Sequence, residues 1–366
     1  VLFFFFFVYF IMPMPGSQQM NSLNFAYFLY SWRWWFRAIL CLLILVSGWK
    51  TSWRKKWVPI LGVAIATVIL YILNFQMAAD KMFREVKDLI MLPAAQNKVD
   101  TNRLIIGVTL GKEAKAYPIR FLGYHHFVLD SIDGKPILVT YCTVCRTGRV
   151  YEPLIAGKKE NFRLVGMDHF NAMIEDASTK SWWRQATGEA VAGKLKGTKL
   201  KAINSRQTSL SQWLSLYPQS LVMQADPGFA EKYDTTMKYE DGYSRKTLTG
   251  TDSLSWKNKS WVVGISIHHA ATAFDWNTFK QEKIIHSEVG KQPIVLVLAK
   301  DKKSFFAFAR NTASQKFTLS GDTLSDGYHT YSLDGISYDS TASLQIIPAY
   351  QEFWHSWKTF HPNTKR

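Results

Sequence analysis

Apolar positions are spread very unevenly along this chain. The first eighty residues hold long unbroken apolar runs, whereas the remainder alternates short apolar runs with Gly, Pro and Asp-Gly punctuation. Residues 57–77 carry no charge and match the roughly 20 residues that a membrane-crossing helix needs. Residues 34–49, interrupted by Arg37, predict a second crossing helix. The run 2–12, mostly Phe, is too short to cross and ends at Pro13, Pro15 and Gly16; residues 1–19 therefore read as a leader or artefactual segment ahead of a start at Met20. Lys50, Arg54, Lys55 and Lys56 lie between the two predicted helices, and the positive-inside rule places that loop in the cytoplasm. The pair then forms a hairpin, with everything after residue 77 on the outer side. Trp34, Trp35, Trp49, Trp53 and Trp57 sit where an interfacial aromatic belt would. Cys41, inside an apolar helix, reads as a packing residue.

Beyond Pro93 the pattern is that of strands. Residues 104–109, 115–119 and 136–141 predict strands, with a hairpin turn at Asp133-Gly134. The same order returns at a fixed distance. Leu104 to Val108 matches Trp261 to Ile265, Lys115 to Tyr117 matches Thr272 to Phe274, and Pro136 to Val139 matches Pro293 to Leu296, each pair 157 positions apart. Phe162 to Gly166 matches Phe317 to Gly321 at 155, and Trp213 to Pro218 matches Trp357 to Pro362 at 144. Offsets that shrink only at loops are what tandem duplication leaves. The expected fold is α+β and β-rich: two duplicated halves, 95–225 and 255–366, behind an N-terminal transmembrane helical hairpin.

With 366 residues, 47% of them hydrophobic, the chain can bury a large core. Its net charge of +16 suits a nucleic-acid partner or an anionic membrane surface. The positive residues are dispersed, as at Lys158, Lys159, Lys194 and Lys199, and no nucleic-acid motif accompanies them. The expected partner is the lipid bilayer, not nucleic acid.

Three cysteines exclude a disulfide-framework protein. Cys142-Thr-Val-Cys145 follows a predicted strand that ends at Tyr141. A turn there brings both sulfurs to one point, which permits a small-ring disulfide or two thiolates on one metal. Zinc or Cu(I) would need further ligands, for which His125, His126 or His169 are candidates. Arg146 stands where c-type haem attachment requires His. Two ordinary buried thiols or a structural disulfide are the plain alternatives. A redox dithiol fits best, with Arg146 lowering a thiol pKa and His125 carrying protons. No cofactor is expected. Asp130 is a candidate for orienting His125, and Trp183 and Gln185 are candidates for lining a pocket. Asp168 with His169 offers a carboxylate and an imidazole. In the second half the positions of Cys142, Cys145 and His125 hold Ala299, Lys302 and Glu282, so chemistry belongs to the first half, and His268-His269 reads as structural.

The block Ala116-Tyr117-Pro118, His125 with Asp130, Val139-Thr140-Tyr141-Cys142-x-x-Cys145, Asp176-x-x-Thr179-x-Ser181-x-Trp183-x-Gln185-x-Thr187-Gly188-Glu189 and Trp357-x-x-Phe360-His361-Pro362 resembles the uncharacterised bacterial family called domain of unknown function 3179, over about 95–366. Some members are labelled selenoproteins, with selenocysteine in place of one cysteine. The resemblance implies a thiol-redox role for Cys142 and Cys145 and adds Tyr141 and Asp176 to the binding candidates. Taken with the predicted hairpin and its basic loop, the bacterial family makes the expected location the inner membrane, with the soluble part extracytoplasmic and acting on an unknown thiol, disulfide or small molecule. The chain departs from the family pattern at His126, commonly Glu, and at Thr143-Val144, commonly Pro-Leu.

Overall fold

The structure is a computed structural model, and it describes residues 6–50 and 57–366. The fold is α+β and rich in strands. The chain forms two compact units, one of residues 1–84 with 160–199 and the other of 85–159 with 200–366.

In the first unit, the strands Phe162–Asp168, Asn171–Asp176, Trp182–Arg184 and Ala190–Ala192 make an antiparallel sheet. The helices Phe6–Ile11 and Leu23–Ser31 cover it, burying Ile11 and Ala26 against Val165, Met173 and Trp182. Residues 6–19, read above as a leader, are thus packed onto this sheet: Gln18 accepts a hydrogen bond from the Phe170 amide at 3.0 Å. The helices Arg33–Lys50 and Trp57–Tyr71 fall on the two predicted crossings. No single helix among the described residues is long and apolar enough to cross a membrane; Leu23–Ser31 and Arg33–Val46 reach that length together, bent by 62°. The basic residues 54–56 of the predicted loop lie outside the described residues.

The second unit runs β1 Leu104–Leu110, β2 Glu113–Pro118, α1 Ile119–His125, β3 Phe127–Ile132, β4 Lys135–Cys142, β5 Thr147–Tyr151, β6 Ser205–Ser209 and α2 Leu210–Leu216. It then runs β7 Trp261–Ile267, β8 Ala270–Asp275, α3 Trp276–Glu282, β9 Ile284–Val289, β10 Gln292–Leu298, β11 Phe305–Ala309, β12 Ala349–Phe353 and α4 Trp354–Phe360. The two series have the same element order and the same registers. Ile106 pairs with Tyr117 and Val263 with Phe274; Phe127 pairs with Thr140 and Ile284 with Val297; Ser209 pairs with Leu104 and Phe353 with Trp261. Each series pairs its strands into two sheets, β2–β1–β6 and β3–β4–β5 in the first and β8–β7–β12 and β9–β10–β11 in the second; each has a main apolar core, and Val295, Val297, Phe306 and Phe308, on the other face of β10 and β11, pack in a further one.

Ile119, predicted to end a strand at 115–119, instead opens the helix Ile119–His125 between β2 and β3, and His126, at φ 65°, terminates that helix with its amide on the Leu122 carbonyl at 2.7 Å. Ile119, Phe121 and Leu122 of the helix are buried in the core.

Candidate functional site

The β4–β5 hairpin sets the geometry of the cysteine pair. Strand pairing ends at Cys142 opposite Thr147, and four residues make the turn. Arg146 closes it in the left-handed region at φ 57°, which sends the side chains of Cys145 and Arg146 in different directions. Both sulfurs belong to free thiols and are fully buried. They share a hydrogen bond, and burial together with that bond pushes the Cys145 thiol well above its usual range.

The turn is clamped from the second series and from the segment that joins the two. The Cys145 carbonyl accepts the Phe353 amide at 2.9 Å, the Val144 carbonyl lies 3.3 Å from His355 Nε2, and the Thr143 carbonyl accepts the Tyr239 hydroxyl at 3.1 Å. A buried polar chain leads away from Cys145. The thiol is hydrogen-bonded to Ser356, the Ser356 hydroxyl donates to Glu352 at 2.9 Å, and Glu352 forms an ion pair with Arg149. The Arg149 guanidinium lies 3.5 Å from the centre of the Tyr350 ring. Sequence reasoning missed Ser356, Glu352 and Arg149. Their signal was in the offsets: Arg149 aligns with Phe306 and Glu352 with Thr208, a charge in one series where the other has none.

The other predicted residues sit apart from the thiols. The Arg146 guanidinium donates to Gln351 Oε1 at 2.9 Å and to the carbonyls of Tyr239 and Glu240, at 2.9 and 3.0 Å, and stacks 3.5 Å from the centre of Trp261. Its turn conformation, rather than thiolate stabilisation, accounts for where its charge goes. His125 lies with Nε2 2.7 Å from the Tyr233 hydroxyl, among Tyr124 and Phe229. Asp130 pairs with Lys115 at 3.0 Å and accepts the Tyr117 hydroxyl at 2.6 Å, so it does not orient His125. Tyr141 is buried, its hydroxyl 2.9 Å from that of Tyr239 and its pKa pushed up to about 12 by burial.

Asp176, Trp183 and Gln185 belong to the first unit, where Asp176 and Trp183 are joined in one turn. Asp176 accepts the Trp183 indole N–H at 2.9 Å and the Ser181 amide at 3.1 Å, and Gln185 accepts from Asn171 at 2.9 Å. Against the upward push of burial, the hydrogen bonds from Trp183, Thr179 and Ser181 hold the Asp176 carboxyl below its usual range. His169 is 2.6 Å from Asp168 in the same unit. Among the described residues no group of three or more His, Cys, Asp or Glu gathers as a metal site.

His126 carries one measurable consequence. Burial, with His125 beside it, holds its imidazole down at about 4, against an ordinary 6.5. A base whose folded pKa is depressed contributes stability that is complete above the unfolded value and is lost as pH falls toward the folded one. Between pH 6.5 and 4 that loss is roughly 3 kcal/mol. Denaturant titrations of the full chain in detergent from pH 7.5 to 4.5 are expected to show a shallower pH dependence for His126→Asn than for the natural sequence. Asn keeps the left-handed backbone accessible. Equal slopes would remove His126 from the account.

Fold and site together define a β-rich α+β protein with a sealed dithiol between two parallel series of strands. A family model described as "Protein of unknown function (DUF3179)" matches residues 87–364, and the chain belongs to that family. No curated protein and no solved structure matches it.

Proposed function

We propose that this chain is a membrane-tethered thiol–disulfide redox protein in which Cys142 and Cys145 carry the electron pair. The observation that supports it most is the hydrogen bond between two free thiols held in one four-residue turn. Such sulfurs need only a small movement to close a disulfide. In the reaction, one cysteine thiolate attacks a sulfur of a partner disulfide and one partner thiol leaves. The second cysteine then attacks the mixed disulfide and releases the other partner thiol. The protein pair is oxidised, the partner disulfide is reduced, and the two protein thiol protons end on the departing thiolates.

The described conformation is the closed, reduced one. A fully buried thiol of raised pKa is a poor nucleophile, so reaction follows release of the turn from Phe353, His355 and Tyr239. Opening admits water and returns the thiol pKa toward its ordinary range.

Two further readings belong to the same proposal. The two series in residues 85–366 are tandem copies related by a twofold axis. Supporting this, Gln207 and Gln351, equivalent at an offset of 144, are hydrogen-bonded to each other at 2.9 Å, as residues beside such an axis would be. The Arg149–Tyr350 contact likewise has a counterpart with the roles exchanged, Arg206 against Phe306 at 5.7 Å. The helices at 33–50 and 57–71 lie in the bilayer as a hairpin. The apolar surface they expose supports it, with Trp34 at 59%, Leu45 at 70% and Ile60 at 67%. On this reading the strand-rich unit is extracytoplasmic, at a bacterial inner membrane.

The redox proposal is tested with the full chain in detergent carrying Cys41→Ser, equilibrated in glutathione buffers and labelled with maleimide after acid denaturation. Expected is a single two-electron step from two labels to none, abolished by Cys142→Ser. In native buffer, labelling is expected to be slower than for free cysteine at pH 7 and to accelerate as pH rises past about 8.5, the ordinary thiol value. Two labels persisting at every glutathione ratio would overturn the proposal.

A further inference from the structure

The second unit contains a cavity of about 670 Å3 that none of the sequence motifs foreshadowed. This is within the usual range for a small-molecule site. Its wall includes Trp261, Trp276, Arg245, Lys280 and Lys302. Four carboxylates also line it, and each is already engaged within the chain. Glu240 holds Arg103 at 2.8 Å and Asp241 holds Lys303 at 2.8 Å. Asp252 accepts the Lys259 amide at 2.8 Å, and Asp301 accepts the Ser209 hydroxyl at 2.7 Å and the amides of Lys303 and Ser304 at 2.9 and 2.8 Å.

Asp252 and Asp301 meet neutral donors and keep their charge on the wall, and three cations stand on its positive side. Among the described residues the side chains of Arg245, Lys280 and Lys302 have no ion-pair or hydrogen-bond partner. Trp276 supplies an independent observation. It is 5% exposed, yet its indole N–H has no acceptor among the described residues and is not one of the sealed unpaired polar atoms. The N–H is therefore not sealed in the core, and the residue that carries it lines the cavity. A ligand acceptor would pair an N–H that no described protein group takes. Beneath the wall lies Arg146, whose partners Gln351, Glu240 and Trp261 all line the cavity. All three of its hydrogen-bond acceptors are neutral oxygens, so its charge adds to the field at the floor.

We propose that this cavity binds a small organic phosphate, with Lys280, Lys302 and Arg245 on the phosphate oxygens and the Trp276 N–H donating to the ligand. Three cations with one neutral donor exceed what a single carboxylate can satisfy, whereas a phosphate dianion offers three charged oxygens. The site stands independently of the dithiol and needs no redox change.

The test uses the full chain in detergent, titrated with glucose 6-phosphate and with inorganic pyrophosphate, and followed by calorimetry and by the fluorescence of the cavity tryptophans. Glucose and glucuronate serve as controls. Saturable binding of at least one phosphate is expected, weakened about tenfold or more by Lys280→Ala with Lys302→Ala, and severalfold by Trp276→Phe. Both lysines are exposed, so the double variant should melt as the natural chain does. No binding of either phosphate would overturn the site. Binding unchanged by the double variant, or binding of glucuronate in preference to the phosphates, would overturn it equally.

Discussion

Glu352→Ala is expected to destabilise the strand-rich unit by about 3–5 kcal/mol, the cost of stranding one partner of a buried ion pair. Glu352 is 1% exposed and Arg149 is 5% exposed, so neither charge can turn to water when the other is removed. The carboxylate also accepts the Ser356 hydroxyl at 2.9 Å, and its loss leaves that donor unpaired as well. Replacing both members, Glu352→Ala with Arg149→Met, is expected to recover at least half of the loss, because an uncharged pair has no desolvation penalty to offset. Glu352→Gln should be milder than Glu352→Ala, since an amide oxygen can still accept from Ser356. Guanidinium titration of the full chain in detergent measures all three. A change below about 1 kcal/mol for Glu352→Ala would show that the pair is hydrated and the site is not sealed. The same variant reports on the thiols: Glu352 raises the Cys145 pKa through its charge and Ser356 lowers it through a hydrogen bond, so with the carboxylate gone and the Ser356 hydroxyl free to donate to the sulfur, maleimide labelling of the folded fraction should speed up.

The strands and the repetition were legible because both are periodic. Alternation marked β1, β2 and β4, and the constant spacing of 157 marked β7, β8 and β10. The turn at Cys142–Cys145 was legible for a similar reason: a strand end, four residues and a new strand force the sulfurs together. What the sequence could not display were contacts made across the unit. Arg146 follows Cys145 directly, and proximity along the chain suggested proximity in space; a single left-handed residue sends its charge toward Gln351 instead. His125 and Asp130 are close in sequence, but His125 ends helix α1 and Asp130 lies in strand β3, and each finds a partner elsewhere, His125 in Tyr233 and Asp130 in Lys115 and Tyr117. Trp183 and Gln185 looked like pocket walls because they are aromatic and polar in alternation. The same alternation serves a turn that satisfies Asp176 within its own unit. The cavity at Trp276 was invisible to pattern because its wall is drawn from several separate stretches, each unremarkable alone.

Gly264→Ala is expected to cost about 3 kcal/mol, at the upper end of what overpacking a core usually costs. A Cβ there would lie 2.2 Å from Cε3 and Cζ3 of Trp357, and the ring cannot withdraw. Trp357 is fully buried, its N–H donates to Thr364 at 2.8 Å, and its other flank stacks on His361 with centroids 3.8 Å apart. Gly107 stands in the same relation to Trp213, with a Cβ 2.2 Å from Cζ3, an N–H donated to Ser220 at 2.7 Å, and the Tyr217 ring tilted against it at 4.4 Å between centroids. Gly107→Ala should therefore cost a similar amount, which a chance resemblance between the two series would not require. The cause is isolated by a double-mutant cycle. Trp357→Leu alone is destabilising, through the lost volume. On that background Gly264→Ala should cost less than about 1 kcal/mol, because the new methyl group enters space the indole has left. Denaturant titration of the four proteins of the cycle gives the coupling directly. If Gly264→Ala costs the same with and without the indole, ring contact is not why glycine stands there, and the backbone itself must be the reason.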